Sequence, residues 1–155
     1  MCIRDSRKEQ KYLDSIFASI NEELKESVQS LEDNIPKQQR LVDSLQMNLN
    51  NESIAIIDIV KSAGGVWVPR IKNNSWKAVA NNRIELIEFE KLSALSEIDV
   101  SKINQDYKQK KIMDFIFEHV KDTSSEKKEV LMMMISEMIS SGRYLQSEVE
   151  ELIEE

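Results

Sequence analysis

Residues 12–49 read YLDSIFASINEELKESVQSLEDNIPKQQRLVDSLQMNL, and the spacing of their apolar side chains decides the fold. Leu13, Phe17, Ile20, Leu24, Val28, Leu31, Ile35, Val42, Leu45 and Leu49 follow one another at intervals of 4-3-4-4-3-4-7-3-4. With Gln38 dividing the interval of seven, fours and threes alternate apart from one extra four near Leu24. That is the heptad seam of a long helix, with one stutter that locally unwinds a left-handed supercoil. Glu22, Glu23, Lys25, Glu26, Glu32, Asp33, Lys37 and Arg40 fall on the remaining faces and form a solvated surface. Pro36 removes one backbone hydrogen bond, so a kink is expected there. The period resumes in phase beyond it, which favours one kinked helix over residues 7–50 rather than two helices. At 1.5 Å per residue such a helix reaches roughly 63 Å, longer than a compact domain is wide.

Composition agrees with a chain made of rods. Only three Gly and two Pro occur in 155 residues, where average usage gives roughly 19. Turn-rich all-β folds and doubly wound folds with several glycine-dependent loops are excluded on that ground. Acidic residues number 28 against 21 Lys and Arg, a formal charge of −7. An acidic chain lacks the basic footprint of a nucleic-acid binder and is repelled by anionic lipid head groups.

Downstream of the long helix, Asn50-Asn51 punctuates the chain. Residues 52–63 hold Ile54, Ile56, Ile57, Ile59 and Val60 and read as a short buried helix closed by Gly64-Gly65. Asp58 and Lys61 interrupt this run, so it is no membrane span. Residues 66–74 read as a connector, extended because Pro69 disfavours helix at Val68. Ser75 is the expected N-cap of a short helix through Ala80, and Asn81-Asn82 the expected left-handed turn after it. In residues 83–98, Ile84, Ile87, Leu92 and Leu95 form one stripe, widened by Leu86 and Phe89. A further helix from 99 or 101 to 121 carries Ile103, Tyr107, Ile112, Phe115, Ile116 and Val120. The pattern leaves open whether these two are one.

Thr123-Ser124-Ser125-Glu126 has the form of a capping box for a last helix over 124–155. There Leu131, Ile135, Met138, Leu145, Val149 and Leu152 repeat at 4-3-7-4-3, with Gly142 in the missing seam position. Phase is kept on both sides of Gly142, which favours a continuous helix with a weak point. The first and last helices share heptad character and are expected to pair lengthwise, with the shorter middle helices covering one end. The fold predicted is all-α, an elongated antiparallel helical bundle in a single domain.

Catalytic signatures are missing. His119 is the single histidine, so His-His metal pairs and Glu-x-x-His pairs cannot form, and no phosphate loop or serine nucleophile elbow is present. No cofactor or metal is expected. Glu148, Glu150, Glu151, Glu154 and Glu155 form a terminal acidic cluster that reads as a solvated face. Met132, Met133, Met134 and Met138 suit either an adaptable surface or an irregular core, and their spacing favours the core. Trp67, Arg70 and Trp76 are the most concentrated candidates for recognition, since aromatic residues and Arg dominate binding hot spots. The competing role for both tryptophans, which the helical context favours, is to plug the end of the bundle.

Two resemblances bear on the chain. Met1-Cys2-Ile3-Arg4-Asp5-Ser6 resembles the translation of a transposase end sequence used in sequencing-library preparation. That implies an artefactual start, a native upstream part not contained here, and a cysteine-free chain from Arg7 onward. Second, Glu9-Gln10-Lys11-Tyr12-Leu13-x-x-Ile16, running into an acidic heptad helix, resembles the juxtamembrane segment of a family of small bacterial single-pass membrane proteins. Ser75-Trp76-Lys77-Ala78-Val79-Ala80-Asn81-Asn82-Arg83-Ile84-Glu85-Leu86-Ile87 is similar to that family's helix-turn-helix, with Asn81-Asn82 in place of Ser-Gly. No activity or functional residue follows from this likeness. It implies topology: an inner-membrane anchor upstream of Arg7 and a helical domain facing the periplasm.

The expectation is therefore a non-enzymatic, membrane-tethered helical domain that binds a partner protein, or a second copy of itself, through helix faces. Its alternative is a cytosolic coiled-coil adaptor. A small-ligand or enzymatic bundle, with a site between helices, ranks behind both.

Overall fold

The computed structural model describes residues 3–154. Met1, Cys2 and Glu155 lie outside them, and with them the readings attached to the lone cysteine and the last acidic residue. Five α-helices and one 3₁₀ turn follow in order: α1 (Ile3–Met47), α2 (Ile56–Ser62), α3 (Asn74–Asn82), the 3₁₀ turn (Ile84–Leu86), α4 (Phe89–Glu118) and α5 (Ser125–Glu154). No strand occurs among the described residues. α5 packs along both α1 and α4, and α1 also holds α2 and α3. The pairing with α1 is antiparallel: Lys128 at the start of α5 reaches the end of α1, while Gly142 lies against Leu31 and Ile35. The all-α antiparallel bundle is thus the architecture. α4 departs from expectation, being a single 30-residue helix that runs beside α5 rather than part of a cap on one end.

α1 is continuous for 45 residues with Pro36 inside it, and α5 is continuous through Gly142. A Cβ on Gly142 would stand 3.5–3.7 Å from Gln105, Ile35 and Leu31, ordinary contact distance, so this glycine sits where three helices meet without being a break and without being required by a clash. The buried face of α1 comprises Ile20, Leu24, Ser27, Leu31, Ile35, Gln38, Leu41 and Leu45. Val28 and Val42 flank it. The seam therefore passes through Ser27 instead of Val28, which moves the two consecutive fours from Leu24 to Leu31 and offsets them with two consecutive threes through Gln38. Two polar residues stand where the heptad calls for apolar ones, and each serves the segment after α2.

Several boundaries correct the sequence reading. α1 stops at Met47 rather than at residue 50, because Lys128 caps it from α5. Its ammonium donates to the carbonyls of Asn48 (3.0 Å) and Asn51 (2.7 Å) and is fully buried. A cation at a helix C-terminus answers both the orphan carbonyls and the dipole. α2 is shorter than residues 52–63, and its first N–H groups donate to Val120 and Asp122 in the α4–α5 loop. Gly64 and Gly65, at φ 92° and 96°, close α2 as expected, with Gly65 N–H reaching the Val60 carbonyl.

Ser75 is not an N-cap. α3 starts one residue earlier, and the Ser75 N–H and hydroxyl both donate to the Glu23 carboxylate of α1, an anion at a helix N-terminus. Asn81-Asn82 is helical, and among the described residues none other than glycine has positive φ. The turn is made instead by Arg83, which leaves the helical conformation at φ −143° and ψ 43°, and the 3₁₀ segment. At α5 the cap is Ser124, whose hydroxyl accepts from Lys127 N–H, one residue later than the Thr123 capping box. Met138 is core, Met132 and Met134 are partly buried against it, and Met133 faces outward.

α4 splits its apolar residues between two faces. Leu95, Ile98, Ile112 and Ile116 point inward with Gln105, while Phe89, Val100, Ile103, Tyr107 and Phe117 are exposed. The stripe drawn over residues 83–98, with Ile84 and Phe89 beside Leu95, is therefore wrong, and of the apolar residues named beyond it Ile103 and Tyr107 lie on the opposite face from Ile112 and Ile116. Ile84 too is exposed. Among the described residues no helix is long and apolar enough to cross a membrane.

Candidate functional site

Residues 66–73 form a strap laid antiparallel against α1, and the strap carries two of the three candidate contact residues. An extended segment outside a sheet needs partners for its backbone, and α1 provides them from side chains. Gln38 Nε2 donates to the Trp67 carbonyl at 2.9 Å. Arg70 N–H donates to Ser30 Oγ at 2.7 Å. Lys72 N–H donates to Ser27 Oγ at 2.9 Å, and Ser27 in turn donates to the Glu23 carbonyl of its own helix. Lys72 also pairs with Glu26. These bonds explain why Ser27 and Gln38 occupy seam positions. Gln38 Oε1 is the buried side-chain polar atom left without a partner among the described residues.

The strap holds Trp67 and Arg70 over a shallow open groove of about 450 Å³. Its walls are Glu26, Asp33, Asn34 and Lys37 from α1, with Trp67, Arg70 and Lys72 from the strap. The Trp67 ring is 40% exposed. Lys37 Nζ lies 3.9 Å from its centroid, a cation–π contact that fixes the ring face. Neither Lys37 nor Lys72 stood out in the sequence, where both read as ordinary surface charges. The signal for the strap lay in Ser27 and Gln38, polar residues at heptad seam positions.

Trp76 does not join this surface. It is buried in the core, and its indole N–H donates to Asp99 Oδ2 of α4 at 2.7 Å while Asn73 donates to Asp99 Oδ1 at 2.8 Å. One carboxylate thereby ties the start of α3 to α4. The structure separates the two tryptophans: Trp76 is the plug, and Trp67 is on display.

The bundle interior is not wholly apolar. Ser27, Gln38, Asn73, Gln105 and Lys128 are buried, but their hydrogen bonds go to the chain itself. Gln105, for example, donates to the Met138 carbonyl. His119 ends α4, half-buried against Phe115 with ring centroids 4.5 Å apart. Among the described residues no group of three His, Cys, Asp or Glu side chains is placed to hold a metal ion. A second open groove, between α4 and α5, is lined by Lys108, Met133, Ser136, Glu137, Ser140 and Ser141, with Lys108 donating to Ser141.

No protein-family model matches the chain. No curated protein and no solved structure matches it either.

Proposed function

We propose that the chain is a non-enzymatic interaction domain, tethered to a membrane by sequence upstream of Arg7 and facing the extracytoplasmic side. There it binds a partner protein or relays a signal. The observation that carries the interaction reading is the strap: an exposed tryptophan and an arginine, the residue types of binding hot spots, held in one geometry by side chains of α1. Such preorganisation reduces the entropy lost on binding. The groove beneath offers two carboxylates and three cations beside the indole, which suits a partner segment with one apolar anchor and mixed charge. The tether rests on the resemblance of residues 9–16 and 75–87.

The test is photo-crosslinking in bacterial cells, with a crosslinking residue at position 67 of the chain extended by its native upstream sequence. A discrete adduct from position 67, absent from the exposed control position Lys25 and lost with Arg70→Ala, is the expected result. No adduct at 67 above the control ends the interaction reading. Trp76→Ala serves as the contrast, because it removes core packing and lowers stability by about 3–5 kcal/mol. For the tether, the recovered upstream sequence is expected to contain about 20 consecutive apolar residues. An uninterrupted polar extension there supports the cytosolic adaptor instead.

A further inference from the structure

α4 displays large apolar side chains to solvent: Phe89 at 80%, Val100 at 62%, Ile103 at 67%, Tyr107 at 57% and Phe117 at 70% exposure. They are not scattered. Positions 89, 93, 96, 100, 103, 107, 110, 114 and 117 step by alternating fours and threes, so all five lie on one heptad stripe opposite the face that meets α5. Counting about 200 Å² for a full aromatic side chain and somewhat less for Val and Ile, the stripe shows roughly 600 Å² of apolar surface. That is the upper end for a monomer's largest patch and approaches the about 800 Å² per partner of a standard interface.

The stripe is also self-complementary. Phe89 and Phe117 lie fourteen residues on either side of Ile103, and Val100 and Tyr107 lie three and four on either side. Ser96 and Lys110 are each seven away, and Ser93 and Asp114 ten and eleven. A two-fold axis through Ile103 therefore sets Phe against Phe and Val against Tyr. Ile103 meets its own copy, and each charged residue of the stripe meets a serine hydroxyl. Glu97 and Lys111, six and eight residues on either side of Ile103 on one edge, are exchanged by the same axis to within two residues, giving two opposite-charge pairs, while Glu90 and Glu118 meet as like charges at the far ends of that edge. A two-fold interface demands this property of its sequence. A parallel pair would instead stack Lys110 on Lys110 and Asp114 on Asp114.

We propose that two copies of this chain associate through the outer face of α4, antiparallel, with Ile103 on the two-fold axis. This surface is separate from the strap groove and does not depend on it.

Sedimentation of the Cys2→Ser chain at about 100 μM is the test, and a dimer is expected. Ile103→Glu, at a solvent-exposed helical position, places like charges on the axis and raises the dissociation constant about a hundredfold. Helical circular dichroism should not change. Glu97→Lys and Lys111→Glu each weaken the dimer, and the double reversal restores it. Oxidation of Ile103→Cys gives a covalent dimer, whereas Lys110→Cys does not, its two copies being about 21 Å apart along the axis. A monomer at that concentration, a dimer indifferent to Ile103→Glu, or equal cross-linking at 103 and 110 each overturns the proposal.

Discussion

α1 and α4 both pack on α5, yet they treat polar and apolar residues in opposite ways. α1 turns one apolar stripe inward and admits Ser27 and Gln38 to it, where each bonds the strap. α4 turns its apolar residues inward only towards its ends. Through its middle, Gln105 is buried while Val100, Ile103 and Tyr107 face out. In α1 a polar residue in the seam marks a neighbour that is not a helix, whereas Gln105 of α4 reaches a carbonyl within α5. An apolar residue outside a seam marks a face with no neighbour in the chain. The first kind of exception finds its partners within the molecule, Gln38 Oε1 apart, and the second does not.

Lys128 offers the strongest way to break this contrast, since it is the largest fully buried side chain among the polar exceptions. Lys128→Met keeps the length and removes the donor, leaving the Asn48 and Asn51 carbonyls only the backbone N–H groups of Asn51 and Ile54 as partners. A loss of about 2–3 kcal/mol is expected, read as a lower urea midpoint with unchanged slope. Next in size is a paired measurement on the two seams. Ser27→Val removes an acceptor from the strap and orphans the Lys72 N–H, for a loss of about 1–2 kcal/mol and faster hydrogen exchange at Lys72. Gln105→Leu orphans nothing comparable, because the Met138 carbonyl lies within the α5 helix. Its expected effect is neutral to slightly stabilising. Equal losses at both sites would abolish the distinction between the two helices.

The smallest effect is one of pH. The Ser124 hydroxyl and N–H donate to the Asp122 carboxylate and, with His119 and Lys127 adding less, hold its pKa below the usual value. The folded form binds this proton less readily than the unfolded chain, so the stabilisation is complete above the unfolded pKa of about 3.9. It fades as pH falls through the lower folded value. Asp122→Asn should flatten the dependence of the melting temperature on pH between about 5 and 2.5, where the parent chain loses stability.

Periodicity made the rods legible. The buried residues Leu131, Ile135, Met138, Leu145, Val149 and Leu152 of α5 are the ones their 4-3-7-4-3 spacing names, and Gly142 stands in the gap. Caps and turns were read less well, because their partners come from distant parts of the chain. Nothing near Ser75 announces Glu23, and nothing near Met47 announces Lys128. α4 misled for another reason: two apolar stripes on one helix sum to a pattern with no preferred side. Of the candidate site, Trp67 and Arg70 belong together because both sit on the strap. Trp76, nine residues further on, went into the core because α3 rolls it towards Asp99.

One consequence of pairing the first helix with the last concerns time. Met47 leaves the ribosome long before Ser125, and α5 is complete only when the end of the described chain is made. At about 5–20 residues per second, the greasy side of α1 waits roughly 5–20 s for its mate. The helix made first is thus sheltered by α5 only after about four fifths of the described chain has been made, and until then its apolar side needs other cover.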